Sequence, residues 1–191
     1  LNQWFNLILT RSSGTLSYYV NGSVDQSVSN SANLLSTNQA NLGRRYDNDR
    51  YFKGKISNLA IWNFSAANIA NIYNNGSPQT TYTVSPQNWW KLNATSVYTP
   101  SAPNYTTALD FVDSTKTSVQ VGSNSLFNFG KDDSFTLSAW VYSHDGGGMI
   151  FSKMQDGGTY AGYSLGLESA SQGIRVSCYI YPAFYIQTPN T

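Results

Sequence analysis

The chain has 191 residues, enough for one domain or two small ones, with a core that buries about two-thirds of the unfolded surface. Only 11% of residues are charged, against about 25% in an average globular protein; 15% are aromatic, and Asn, Ser and Thr together supply 62 positions. Aromatic richness with little charge argues against disorder, and 11 basic against 10 acidic residues argues against a nucleic-acid or anionic-membrane partner held by bulk charge.

No apolar run approaches the ~20 residues that cross a bilayer, so membrane insertion is not expected. A start at Leu1 rather than Met is expected of a mature or excised piece. Cys178 is the one cysteine, so there is no internal disulfide framework. Its setting, Ile174-x-Val176-x-Cys178-x-Ile180, predicts a small buried apolar residue. The polar, uncharged composition is that of extracellular, cell-surface or virion proteins.

Period-two alternation dominates the chain from its start. Gln3 to Leu9 reads as a strand covered on both faces. Ser12-Ser13-Gly14 turns the chain into a second strand over 15–20, where Leu16, Tyr18 and Val20 share a face. Asn21-Gly22 is a hairpin signal, because both residues tolerate positive φ. Further strands are predicted at 40–44, 51–62, 107–112, 117–121, 134–143, 148–154, 161–168 and 173–181. One segment, Ser65 to Tyr73, has a helical period, with Ser65 as N-cap and Ile69, Ile72 and Tyr73 on one face. Residues 77–88, with two prolines and little apolar content, read as a linker. Many short strands with one short helix predict an all-β, two-sheet antiparallel jelly-roll sandwich.

Several motifs carry a family likeness. Trp4-Phe5-Asn6-Leu7-Ile8-Leu9-Thr10, Leu16-x-Tyr18-Tyr19-Val20-Asn21-Gly22 and Tyr51-Phe52-x-Gly54-x-Ile56-x-x-Leu59-x-Ile61-Trp62 resemble the second half of laminin-G-like domains. These belong to the concanavalin A-like lectin and glucanase superfamily, which includes the pentraxins. Ala108-Leu109-Asp110-Phe111, Ser134 to Val141, Ile150 to Lys153 and Gly162 to Leu165 resemble the first half, yet follow it in the chain. The resemblance implies a C-terminal-half-like block at 1–79, a linker at 80–87 and an N-terminal-half-like block at 88–191. The two blocks form either one sandwich in permuted order or the halves of two tandem repeats. An isolated half would expose an apolar sheet face and open edges, so the halves must meet partners, and the high effective concentration within one chain favours a single closed body.

The residues speak against catalysis. Glycoside hydrolysis ordinarily needs two carboxylates about 5–5.5 Å apart for retention, which strand positions i and i+2 would supply. The one glutamate, Glu168, has Gly166 and Ala170 at those positions, and Asp132-Asp133 point to opposite faces of a strand start. His144 is the one histidine and sits at a glycine-rich hairpin tip, and one His with one Cys gives too few nitrogen and sulfur ligands for a zinc site.

Calcium is the metal whose oxygen ligands the chain can provide. The pentraxin resemblance implies a site at Asp47, Asn48 and Asp49, joined by Asp145 from the loop after the 134–143 strand; Asp110, Asp113 and Asp156 fit a laminin-G rim site more loosely. Arg44 and Arg45 stand where that pattern has amide or acidic residues, and two cations there oppose a dication. Tyr46, Tyr51, Trp89 and Trp90 are the candidate ligand-stacking residues, and one of Trp89 and Trp90 faces outward if they lie on a strand. The expected function is a non-catalytic recognition module for glycans or surface partners, assisted by calcium. The alternative is a structural component of a virion, fibre or surface array, self-associating or packed against tandem neighbours.

Overall fold

A computed structural model describes residues 3–65, 68–92, 108–122, 125–144, 146–155, 161–170, 173–181 and 184–187. Residues 113, 169, 170 and everything from 173 onward are described by backbone alone. The strands are Trp4–Ser12 (β1), Thr15–Val20 (β2), Ser23–Ser29 (β3), Ala40–Leu42 (β4), Gly54–Trp62 (β5), Asn88–Trp90 (β6) and Leu109–Phe111 (β7). They continue with Val119–Gly122 (β8), Phe135–Ser143 (β9), Gly148–Met154 (β10), Gly162–Ala170 (β11), Gly173–Tyr181 (β12) and Phe184–Gln187 (β13).

Two antiparallel sheets result, in agreement with the expected sandwich. One runs β3-β2-β1-β9-β5-β6, with β7 also on β5; the other runs β13-β12-β11-β10-β4-β8. The long strand β9 lies between β1 and β5, pairing Phe5 with Val141 on one side and Ile56 with the same Val141 on the other. In the facing sheet, β4 lies between β10 and β8. Both sheets therefore interleave strands from before and after the 80–87 segment.

The inner faces meet in one core, including Leu7, Leu9, Leu137, Val141 and Ile56 from the first sheet and Leu42, Phe151, Tyr163 and Leu165 from the second. At about 1.5–3 kcal/mol per fully buried large side chain, this layer is the main favourable contribution to folding. The alternation read in the sequence is what builds it, since successive strand residues face opposite ways. Asn21 and Gly22 adopt φ of +50° and +76°, and the tight β2–β3 hairpin follows from them.

A second apolar cluster, Ile8, Ala60, Trp62 and Ile72, covers the outer face of the first sheet. The segment expected as a linker lies packed over that cluster. The Tyr82 ring meets Trp62 and Trp89 edge-on, with centroids 5.0 and 4.8 Å away, and Trp62 Nε1 donates to the Val84 carbonyl at 3.0 Å. Asn58 anchors the strap from a bulge in β5, where its φ is +52°. Its amide Nδ2 donates to the Gln79 carbonyl and to the Tyr82 hydroxyl. Burial on this face pushes the Tyr82 phenol far above its ordinary range, because the phenolate has no water to solvate it.

The helix differs from the expected one. It spans Ile69–Tyr73 (α1), and Asn68, not Ser65, is the N-cap, its Oδ1 accepting the Asn71 N–H at 2.9 Å. Asn74 ends it in the left-handed conformation, which a short polar side chain tolerates. β3, β6 and β13 were not among the predicted strands. β3 is an edge strand with five polar residues among seven; Val28 packs on the core but Val24 is 60% exposed, so the apolar alternation is too short to read. The side chain of Cys178 lies outside the description.

Candidate functional site

The expected site falls at one end of the sandwich, which we call the rim. The loop 43–53 leaves β4 there and enters β5, and the turn 144–147 joins β9 to β10. Backbone bonds lock the two together: His144 N–H donates to the Lys53 carbonyl at 3.1 Å, and Met149 N–H to Arg50 at 2.9 Å. Gly43 is required at the loop's base. Its φ is +75°, and a Cβ there would come within 2.2 Å of the Phe111 ring. Gly148 has the same role opposite, where a Cβ would lie 2.5 Å from the Phe52 backbone.

The side chains of the loop are largely engaged with one another. Arg45 forms a two-point contact with Asp47, Nε to Oδ1 at 2.8 Å and Nη2 to Oδ2 at 2.6 Å, and reaches Asp49 at 3.2 Å. Arg44 binds Asn41 Oδ1 through Nε and Nη2, and its Nη1 donates to Asn48 Oδ1. Arg50 crosses to Glu168 in β11 at 2.9 Å. The Arg45 hydrogen bond, more than burial or distant charge, holds the Asp47 carboxyl below the usual carboxylate range, and the same bond raises Arg45. The ion-paired groups are partly or well exposed, so each ion pair contributes at most about 1 kcal/mol.

Asp47, Asn48 and Asp49 thus converge on one loop, but arginines take up oxygens of all three. A calcium ion there would have to displace Arg45 from Asp47. Asp145, Asp156 and the side chain of Asp113 lie outside the described residues. Asp110 is at the rim, its Oδ1 3.5 Å from the exposed His144 Nε2. Among the described residues, no three His, Cys, Asp or Glu side chains gather as a metal-binding group.

The aromatic candidates separate. Tyr46 and Tyr51 are half-buried at the rim, with the Arg45 guanidinium 5.7 Å from the Tyr46 ring and the Lys116 ammonium 5.9 Å from Tyr51. Trp89 and Trp90 are away from it on β6 and face opposite sides of the sheet. Trp90 joins the inter-sheet core beside Phe127, at 5.8 Å. Trp89 lies outward under Tyr82, its Nε1 donating to Asn58 Oδ1 and the Lys91 ammonium 4.6 Å from its ring.

The structure adds a row that the sequence reading missed. Trp4 and Tyr142 sit directly opposite each other across β1 and β9, with ring centroids 5.7 Å apart, and Tyr142 meets His144 edge-on at 5.4 Å. Each ring occupies an outward strand position at the rim, and Lys55 flanks Tyr142 on β5. Alternation alone gave their faces; the register between strands more than 130 positions apart brings them together.

Residues 1–66 match the family described as the concanavalin A-like lectin/glucanases superfamily, through its laminin-G model. The matched stretch contains β1 to β5 and the whole 43–53 loop, while β6 to β13 and the 144–147 turn lie outside it. No curated protein and no solved structure matches the chain. The family resemblance and the two-sheet fold agree, and they point to a module that binds carbohydrates or partners. Among the described residues, no helix is long and apolar enough to cross a membrane.

Proposed function

We propose that this chain is a non-catalytic glycan-recognition module of an extracellular surface, and that the rim is its binding face. One observation carries the reading: half-buried rings (Tyr46, Tyr51, Trp4, Tyr142) share one rigid sheet end with a dense set of hydrogen-bonding guanidinium, amide and carboxylate groups. Sugars are bound by stacking of their apolar face on aromatic rings, with polar side chains reading the hydroxyls. Function resides in such loops rather than in the sandwich itself.

In this reading Trp89 and Trp90 are packing residues, and recognition stays with Tyr46 and Tyr51 from the candidate set. The permuted arrangement of two laminin-G-like halves supplies the frame: β9, from the later block, is the strand that carries Tyr142 to Trp4. Calcium assistance is part of the proposal only in one form, with Asp47, Asn48 and Asp49 as ligands after Arg44 and Arg45 swing away. Self-association is not needed for the rim to work.

A glycan array probed with and without millimolar calcium tests this. Retention of a defined set of glycans, reduced at least tenfold in Tyr51→Ala and Tyr142→Ala and unaffected by Trp90→Phe, is expected. No retention under either condition, together with concentration-dependent assembly in sedimentation, would overturn the reading in favour of a structural component. For calcium, the expected outcome is a rise in melting temperature that disappears in Asp47→Ala.

A further inference from the structure

The triplet Asn-Gly-Ser occurs twice, at 21–23 and at 75–77. Both asparagines are exposed and both have positive φ, +50° at Asn21 and +51° at Asn75. An asparagine before glycine is chemically insecure, because a residue with no side chain leaves its own nitrogen open to the preceding carboxamide carbon. With the three residues identical, a difference in reactivity between the two places in the folded chain has to come from the fold.

The fold holds one and leaves the other loose. Asn21 is tied to β1 twice: its N–H donates to the Asn6 carbonyl at 2.9 Å, and its Oδ1 accepts the Asn6 N–H at 2.9 Å. Its carboxamide is thereby turned onto β1. Gly22 beside it is crowded, since a Cβ there would come within 2.7 Å of the Tyr73 ring, and the flanking Val20 and Ser23 are paired in the β2–β3 ladder. The Asn75 carboxamide, in contrast, makes no hydrogen bond among the described residues. It lies in the 3-10 turn Asn74–Gly76 after α1, which the Ser77 N–H closes onto the Asn74 carbonyl at 3.1 Å. A Cβ at Gly76 would meet nothing nearer than the Tyr73 hydroxyl at 3.5 Å, so there is room around the glycine. Asn74, Asn75 and Gly76 are left-handed in succession, at φ of +50°, +51° and +89°. That run is strained for the two asparagines, so leaving it costs less than leaving a paired hairpin.

We propose that Asn75 is a site of spontaneous deamidation, and that the fold protects Asn21 from the same reaction. The Gly76 nitrogen gives its proton to solvent hydroxide and attacks Asn75 Cγ. The Cγ–Nδ2 bond breaks, ammonia leaves with its third proton from solvent, and a five-membered succinimide closes. A water molecule then opens the ring at either carbonyl, leaving an aspartyl or an isoaspartyl residue. Attack requires the Asn75 ψ to turn away from +37° so that the nitrogen meets the carbon, a motion the loose turn permits and the hairpin at Asn21 resists. The product carries a carboxylate just beyond the C-terminal end of α1, where the helix dipole disfavours negative charge. Tyr73, which packs against Gly22 and stacks on Trp140 at 6.0 Å, is two residues away, so the change falls on the cover of the first sheet's outer face.

The test is incubation of the full chain in mildly alkaline buffer, folded and in urea, followed by tryptic mapping. Asn21 and Asn75 fall in separate peptides, 12–44 and 56–91, and fragmentation locates the amide-to-acid mass change. In the folded chain Asn75 is expected to convert at least tenfold faster than Asn21, with isoaspartate among its products. In urea the two identical triplets are expected to convert within a few-fold of each other. Neither measurement involves a ligand, so the result stands apart from the rim reading. Equal rates in the folded chain, faster conversion at Asn21, or conversion of Asn75 in urea alone would overturn the proposal.

Discussion

The two ends of the sandwich handle charge in opposite ways. At the rim, Arg45 is partly exposed and meets two carboxylates; at the far end, Arg11 is fully buried and meets three backbone carbonyls. Its Nε donates to the Asp133 carbonyl at 2.8 Å, Nη1 to Ala32 at 2.7 Å and Nη2 to Gly130 at 2.5 Å, while the guanidinium carbon lies 5.4 Å from the Phe135 ring centroid. Desolvation lowers the Arg11 pKa more than Asp133 and Asp132 restore it. Lys153 follows the same pattern, buried with its ammonium on the carbonyls of Ser36 and Asn38 at 3.0 and 2.8 Å. Buried cations on carbonyls tie loops to strands and contribute to stability. Exposed cations on carboxylates contribute little to stability and keep their groups within reach of a ligand.

Arg11→Met sharpens that contrast most. It leaves three partly buried carbonyls without their charged donor, and a loss of about 3–5 kcal/mol is expected in urea denaturation. A loss under 1 kcal/mol would remove the distinction between the ends. Lys153→Met comes next, at about 1–3 kcal/mol, because two carbonyls lose a donor while a desolvated charge is also removed. The sign with pH is fixed. Burial lowers the Lys153 pKa, so the unfolded chain holds this proton more tightly, and the lysine's contribution to stability grows as pH rises through the folded value toward the ordinary lysine range. The pH-dependence of wild type minus Lys153→Met, followed from pH 7 upward, measures it.

Rim substitutions should do least to stability. Asp47→Asn is expected to cost less than about 1 kcal/mol at neutral pH. The Asp47 pKa is depressed in the folded state, so its contribution is present above the ordinary carboxylate value and fades as pH falls through the folded one. A double-mutant cycle of Asp47→Asn with Arg45→Ala, measured at pH 7 and pH 3, checks both size and sign.

Much of this architecture was legible in the residues. Strand β9 was visible because Phe135, Leu137, Ala139 and Val141 alternate with Trp140 and Tyr142, and the β2–β3 turn because Asn21-Gly22 admits positive φ. The Asp47-Asn48-Asp49 loop announced itself by its acids, and the neighbouring arginines warned that those acids had nearer partners. The strap over 77–88 read as a linker because its anchors lie elsewhere in the chain: the Asn58 bulge, the Trp62 bond to Val84, Asn71, and the Tyr82 ring on Trp62 and Trp89. Arg11 and Lys153 were beyond reach for the same reason, since each is bound to carbonyls that only the folded register brings near. The Trp4–Tyr142 pair depends on β1–β9 register, which no local pattern encodes.

The rim's role is tested most directly by mapping where a ligand touches. The ¹⁵N-labelled chain would be titrated with the glycan best retained on an array, following backbone amide shifts. Perturbations concentrated at 44–52, Trp4 and 142–148 are predicted. Saturable binding whose shifts leave all of those positions unmoved would contradict the account.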